Sequence, residues 1–358
     1  LFIRSKTPNV YFSDFILKCL LVLSIRKRKT KHILNISIMK TRITLLISLL
    51  LLGFIAQAQN CEDLLVAVQG NQVTTTKQLL KKVNPNCSFN GMTQPRTPLG
   101  MAASNGNLAI AKLLFENGAR VSYRHSRDAS ALMIAAQTGN YAMVKFLVDK
   151  KANVNTKISG DGTPLISAVR GNNPKAVKLL LEEGANPNTK VRGDGSPIVV
   201  AGDKGNEEIM RLLIQYGAKI NLEVKGDGTA LIQAAARGNL GMVKVIVETG
   251  ADINKESDGD GNPLILAAKN GHLDVVKYLV EKGADVNYFV MGDETPLIRA
   301  AWSGHLEVVK YLVENGADVN KTVRDSYSLI SEKRNALKMA KRENHSNVVS
   351  YLIQKGAK

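Results

Sequence analysis

Along most of the chain, apolar positions fall into pairs of short stripes separated by glycine and asparagine. After Thr163, the residues Leu165, Ile166 and Ala168 make one stripe; after Leu273, Val275, Val276, Leu279 and Val280 make another. Both spacings belong to helices that bury one side. The first helix of each pair starts at a residue able to cap free N–H groups: Thr97, Ser130, Thr163, Ser196, Thr229, Asn262 or Thr295. Proline follows at 98, 164, 197, 263 and 296, where a missing N–H costs nothing. That helix ends at Gly106, Gly139, Asn172, Gly205, Gly238, Gly271 and Gly304, residues that tolerate a left-handed terminus. Asn107, Asn140, Asn173, Asn206, Asn239, His272 and His305 come next, at the cap of a second helix.

The markers keep a period of 33 residues, and so do Asn155, Asn188, Asn221, Asn254, Asn287 and Asn320. Each unit reads like "TPLIRAAWSGHLEVVKYLVENGADVN", which begins at Thr295 and resembles the ankyrin repeat; seven such units keep one register from Thr97 to Asn320. The resemblance implies an all-α repeat solenoid of stacked ankyrin helix pairs with short β-hairpin fingers. One pair cannot bury its faces alone, whereas stacked pairs can. Residues 59–96 are expected to form an N-terminal capping repeat, in which Ala67, Gly70 and Asn71 keep register. Residues 97–320 hold the seven repeats, and residues 321–358 hold an insertion and a C-terminal capping repeat made polar by Lys338, Lys341, Arg342 and Glu343.

The turns between units carry a recurring heptad, "GDGTPLI" from Gly160 and close copies from Gly193, Gly226, Gly259 and Gly292. Against the usual ankyrin pattern, Ile158, Val191 and Val224 stand where aspartate is expected, and Asp161, Asp194, Asp227, Asp260 and Asp293 stand where glycine is expected. The glycines permit positive φ and an aspartate accepts local N–H bonds, so a structural role suffices. Calcium is the rival reading at "DGDGN" from Asp258, but the twelfth position, which needs a closing glutamate, is Lys269. No Gly-Lys-Ser/Thr follows the glycines, which excludes a phosphate loop.

The first 58 residues have a different character. Residues 1–38 read as a non-native upstream leader, and residues 39–58 as a signal peptide: Lys40 and Arg42, an apolar run from Ile43 to Ile55, then "AQA" at Ala56 to Ala58. The run is shorter than the ~20 residues of a spanning helix, so stable membrane insertion is not expected after cleavage. The chain carries 48 basic and 31 acidic residues, net +17; ten of the bases and one acid lie in residues 1–58, leaving 38 against 30 and a net of +8. That balance makes no case for nucleic acid. Export to an oxidising compartment, periplasmic or extracellular, makes a disulfide between Cys61 and Cys87 an expectation for the first unit.

Chemistry is not indicated. His272, His305 and His345 share one repeat position and His125 lies in a finger; no zinc-helix motif, nucleophile elbow or Cys-His pair appears. Ile166, Ile232, Ile265 and Ile298 hold the position where the repeat family usually has histidine. A column of Lys112, Lys145, Lys178, Arg211, Lys244, Lys277 and Lys310 reads as a solvated face, since an acid stands four residues after all but Arg211. The reading is therefore a non-enzymatic ankyrin-repeat scaffold of the bacterial envelope or secreted, monomeric, with no cofactor or metal and with a protein partner. An accessory or immunity-type protein that protects or inhibits an envelope enzyme is the alternative.

The resemblance to ankyrin arrays implies a partner held against the fingers and the C-terminal ends of the first helices, which here are Ser104, Gln137, Arg170, Asp203, Ala236, Lys269 and Trp302. The finger "NYFVMGDE" sets Phe289 and Met291 beside Trp302, the only tryptophan, where other units carry Lys157, Lys190 and Arg192. Trp302, Phe289, Met291, Tyr288 and Arg299 are thus the candidate partner-binding residues, unless the patch packs on the insertion near Val323 to Lys333. For export, N-terminal sequencing of exported protein is expected to start at Gln59; a residue preceding Met39 in that material rules the signal peptide out.

Overall fold

The computed structural model describes residues 43–44, 47, 60–89, 97–125, 128–257, 261–289, 294–324 and 333–358. It divides into two units, Leu1–Gln59 and Asn60–Lys358. Residues 43, 44 and 47 are helical; the rest of the expected signal segment, Met291, and Asp258 with Asp260 lie outside the described residues. No helix among the described residues is long and apolar enough to cross a membrane.

Residues 60–358 form a stack of helix pairs: Pro98–Ser104 with Leu108–Glu116, Ala131–Gln137 with Tyr141–Asp149, Pro164–Arg170 with Pro174–Glu182, and Pro197–Lys204 with Glu207–Gln215. Ala230–Ala236 with Leu240–Glu248, Pro263–Asn270 with Leu273–Glu281, and Pro296–Trp302 with Leu306–Glu314 continue it. A helix over residues 60–69 and Val73–Leu79 close one end, and Ala336–Arg342 with Ser346–Gln354 the other. The first helices run only seven or eight residues, below the length that is stable alone in water. Packing supplies the difference. Ala168, Ala201, Ala234, Ala267 and Ala300 are fully buried, and such small side chains let successive first helices approach far more extensively than successive second helices do.

Thr97, Thr163, Thr295 and their counterparts accept a bond from the N–H three residues on, Thr163 Oγ1 from Ile166 at 3.2 Å for example. The helix-end column has positive φ throughout, from 68° at Gly106 to 79° at Gly271, with 51° at Asn172. Asparagine at the second cap works in two directions: Asn140 Oδ1 accepts from Met143 N at 3.0 Å, and its Nδ2 donates to the Gly106 carbonyl of the preceding unit at 3.2 Å. The histidines differ. His272, His305 and His345 make no side-chain cap; Nε2 of each reaches the carbonyl of Ala236, Lys269 or Trp302 at 3.0 Å, so only the inter-unit half of the asparagine's role survives. These bonds supply the polar link between units that the buried Ile166, Ile232, Ile265 and Ile298 forgo.

A second ladder runs at the unit boundaries. Asn188 Oδ1 accepts from Lys219 N at 2.8 Å and its Nδ2 donates to Gly217 O at 2.9 Å; Asn155, Asn287 and Asn320 repeat both bonds. Asn86 does the same with Arg120 and Gly118, which joins the N-terminal cap to the first full repeat. Each cap also exposes apolar side chains, Val66 and Val73 at one end and Ile353 at the other. In the insertion, Val323–Arg324 pairs antiparallel with Lys333–Arg334; residues 325–332 lie outside the described residues.

Cys61 and Cys87 are bonded, with Cα atoms 5.9 Å apart and a sequence separation of 26. A crosslink over a loop of that length removes unfolded-state entropy worth about 3 kcal/mol. Reduction, or Cys61→Ser, is expected to lower the unfolding free energy of the array by that order. Equal denaturant midpoints with and without reductant, or two titratable thiols in unreduced denatured protein, show that the bridge is not formed.

Candidate functional site

The fingers explain the heptad. Ile158 and Gly162 exchange two backbone bonds, 3.0 Å from Ile158 N to Gly162 O and 2.8 Å from Gly162 N to Ile158 O. The three residues between them turn with Asp161 N donating to Ile158 O at 3.2 Å. Gly160 and Gly162 have φ of 88° and 87°, a conformation that side chains disfavour. Val191 with Gly195, Val224 with Gly228 and Ser257 with Gly261 form the same bridge. Ile158, Val191 and Val224 are buried, which gives the apolar replacement of the usual aspartate its reason: the side chain is tucked under the finger. A Cβ at Gly162 would stand 3.0 Å from Ile166, so that finger packs onto its own first helix.

The aspartate that replaces the usual glycine links neighbours. Asp194 is buried; its Oδ2 accepts from Gly160 N of the preceding finger at 2.9 Å. Its Oδ1 accepts from Arg170 Nη2 at 3.0 Å, and the same nitrogen donates to the Asp194 carbonyl at 2.9 Å. Arg170 Nη1 also reaches the Asp161 carbonyl at 3.5 Å. Arg170, at the C-terminal end of its first helix and so in the palm of the array, thus spans two fingers, a relation hidden in the sequence because the partners are 24 residues apart.

Beside it lies a groove of about 420 Å³ lined by Gln137, Arg170, Asp194, Asp203, Lys204, Asp227 and Gln233, among others. Asp203 is engaged by Arg237 at 2.6 Å and by Lys204 at 3.8 Å. The Asp227 carbonyl accepts from Gln233 Nε2 at 2.7 Å, but Oδ2 of its carboxylate is buried without a hydrogen-bond partner. Burial, then Asp194, pushes the Asp227 carboxyl above the usual carboxylate range, with Arg170 opposing. Asp161 is raised by burial, then by Asp194 and Asp128, against Arg170 and Arg124. Among the described residues no cluster of three or more His, Cys, Asp or Glu side chains could hold a metal ion.

At the C-terminal end, the expected aromatic patch is divided. Phe289 is 40% exposed. Trp302 is half-buried: the guanidinium groups of Arg299 and Arg334 each lie 5.4 Å from its ring centroid, and its Nε1 donates to Glu343 Oε1 at 3.2 Å. Buried Glu294 holds both cations, Arg334 Nη1 at 3.0 Å and Arg299 Nε at 3.4 Å. Arg334 belongs to the strand pair at the base of the insertion, so Trp302 and Arg299 pack on that insertion's foot. Tyr288 donates to Glu256 at 3.1 Å. Phe289 alone of the described candidates stands open. The sequence held a signal for the clasp in Arg334, next to the insertion, but not for its neighbour Glu294, 40 residues earlier.

On the second helices the basic column is exposed but paired less regularly than its spacing implies. Lys145 with Asp149 and Lys178 with Glu182 form the expected contacts at 3.7 and 3.8 Å. Lys310 turns back to Glu307 at 2.8 Å, and Arg211 meets Glu207 at 3.9 Å. Lys244 and Lys277 lie over Tyr278 and Tyr311 of the next unit, 5.8 Å from each ring centroid. Such exposed contacts contribute little.

A family model described as "Ankyrin repeats (3 copies)" matches residues 34–125, 64–158, 123–191, 165–257, 231–323 and 293–358. The chain belongs to the ankyrin-repeat family. The crystal structure of the human ASB11 ankyrin repeat domain is similar over 64% of this chain and 99% of its own, with 28% identity and a TM-score of 0.56. No curated protein matches. Ankyrin repeats are protein-interaction scaffolds, which turns attention from chemistry to the open face of the array.

Asp227 gives that face a pH signature. Its carboxyl is raised above 3.8 by burial, so the folded ankyrin array binds this proton more tightly than the unfolded chain. Ionisation then costs stability at neutral pH, and the cost fades as pH falls through the raised value toward the ordinary one. Asp227→Asn is expected to be more stable than the parent near pH 7, with the advantage shrinking to nothing below about pH 4. Urea unfolding across that range tests it; a variant less stable near neutrality contradicts it.

Proposed function

We propose that this ankyrin array is an exported protein-binding scaffold of the bacterial envelope, with no chemistry of its own, and that its partner lies across the fingers and the C-terminal ends of the first helices. One observation carries the reading. Framework positions repeat with the same residue types, such as the Thr/Ser/Asn caps and the boundary asparagines, whereas the palm positions read Ser104, Gln137, Arg170, Asp203, Ala236, Lys269 and Trp302. Residues serving only the stack have no reason to differ so widely from unit to unit. A face that meets a partner does.

Within that face, the C-terminal end is the proposed anchor, formed by Phe289 and Met291 with Trp302, Tyr288 and Arg299 at its edge. Phe289 offers an exposed ring with no role in the core. Trp302 serves the clasp and the edge of the interface together. Aromatic anchors at interfaces contribute ~2 kcal/mol or more on truncation. Phe289→Ala is expected to weaken partner binding several-fold and leave thermal unfolding unchanged, whereas Trp302→Ala should lower the unfolding temperature as well. A photo-crosslinker at Lys269, compared with one at Lys178 on the second helices, identifies the partner in the native envelope and locates it. Preferential capture at Lys178, or an unaltered affinity in both alanine variants, removes the C-terminal palm as the anchor.

A further inference from the structure

At the groove between the fingers of Asp194 and Asp227, two successive units differ in what faces the finger aspartate. Arg170 stands 24 residues before Asp194 and neutralises it. In the next unit, the residue 24 before Asp227 is Asp203. The repeat therefore sets an acid where the preceding unit has its cation. The groove's two cations are both committed elsewhere: Arg170 to Asp194 at 3.0 Å and Lys204 to Asp203 at 3.8 Å, where Arg237 also binds. Among the described residues no ion pair reaches the Asp227 carboxylate, and its Oδ2 is buried without a hydrogen bond. A buried carboxylate oxygen left unpaired costs free energy that an incoming cation would recover.

We propose that this groove receives one basic side chain of the protein partner, an arginine or lysine, held by Asp227 in the place that Arg170 fills for Asp194. The inference rests on the protein-binding reading and specifies the chemistry of its contact in the central repeats. The groove's lining carries three acids, Asp194, Asp203 and Asp227, against the cations Arg170 and Lys204, so it favours one added positive charge. On the same fingers Lys190, Arg192 and Lys225 are exposed, so acidic residues beside the partner's cation suit this surface and a broadly basic partner does not. A planar guanidinium suits a carboxylate better than an ammonium because it donates two parallel bonds.

The test uses the full chain and three small probes: N-acetyl-arginine amide, N-acetyl-lysine amide and the neutral N-acetyl-citrulline amide. Amide resonances of Gly226 to Gly228 and Gln233 are followed by NMR during titration. Saturable shifts with a dissociation constant on the order of 1–50 mM are expected for the cationic probes, and none for citrulline amide. Asp227→Asn should weaken the response roughly tenfold or more. Asp203→Arg, which places a cation where the preceding unit has Arg170, should abolish the response. Equal shifts with citrulline amide, an unchanged titration of Asp227→Asn, or no saturation with either cation overturns the proposal. If those failures coincide with a partner captured at Lys269, the cation site is lost and the protein-binding reading stands. Saturable, Asp227-dependent binding upholds the site even where no palm cross-link forms.

Discussion

Helices of seven to nine residues hold this array together only through the face each presents to the next. Isolated segments of that length are marginal in water, so the persistence of every helix depends on its neighbours. The consequences run through the sequence. Buried alanines at 168, 201, 234, 267 and 300 let first helices come close, and the glycine and asparagine ends return the chain at once for the second helix. Polar groups follow the same rule. Asn140 and Asn173 cap their own helix with one amide atom and bond the preceding unit with the other. One residue satisfies two requirements, which is how a 33-residue unit closes its backbone hydrogen bonds without a larger core.

The finger aspartates show how a local device acquires a wider effect. A turn needs an acceptor near its free N–H groups, and in Asp194 the carboxylate meets that need across units by bonding Gly160 of the previous finger. Repeating the device places like charges along one edge, and burial compounds the repulsion. Asp161 and Asp227 are both raised, and both are opposed by the same Arg170. A single arginine thus serves a row of acids, and its reach sets where compensation ends. Beyond it the palm residue is Asp203, whose own cations come from Lys204 and Arg237.

Much of this architecture is legible in the sequence because the deciding interactions are local. Thr163 and Ile166 are three residues apart, and the left-handed ends announce themselves as Gly106 or Asn172. The period carries the register, whereas the partner-facing positions are what the ankyrin resemblance implies. What was not legible depends on chain distant in sequence. Trp302 reads as a free aromatic until Arg334 and Glu343 arrive from the last unit and Glu294 fixes the arginines from the finger before it. The histidine caps depend on distant chain in the same way: His305 stands at the helix start as its position implies, yet its ring bonds Lys269 O, 36 residues earlier. Ile158 at the aspartate position looked like an unexplained departure, and only its burial beneath the finger accounts for it.

Stability in a nearest-neighbour stack is spent at the boundaries between units, which leaves the palm free to vary. Ser104, Gln137 and Lys269 are exposed and can change without touching the framework. Arg170, Asp203 and Trp302 are exceptions, because each has been drawn into bonds that span units. At Arg170 the palm ties two fingers; at Trp302 it ties the last full repeat to the closing pair and the foot of the insertion. A partner that contacts either residue acts on an interface between repeats as well as on a side chain. Since such interfaces set the cooperativity of a repeat array, contact at these two positions would stiffen the stack, while contact at Lys269 would leave it unchanged.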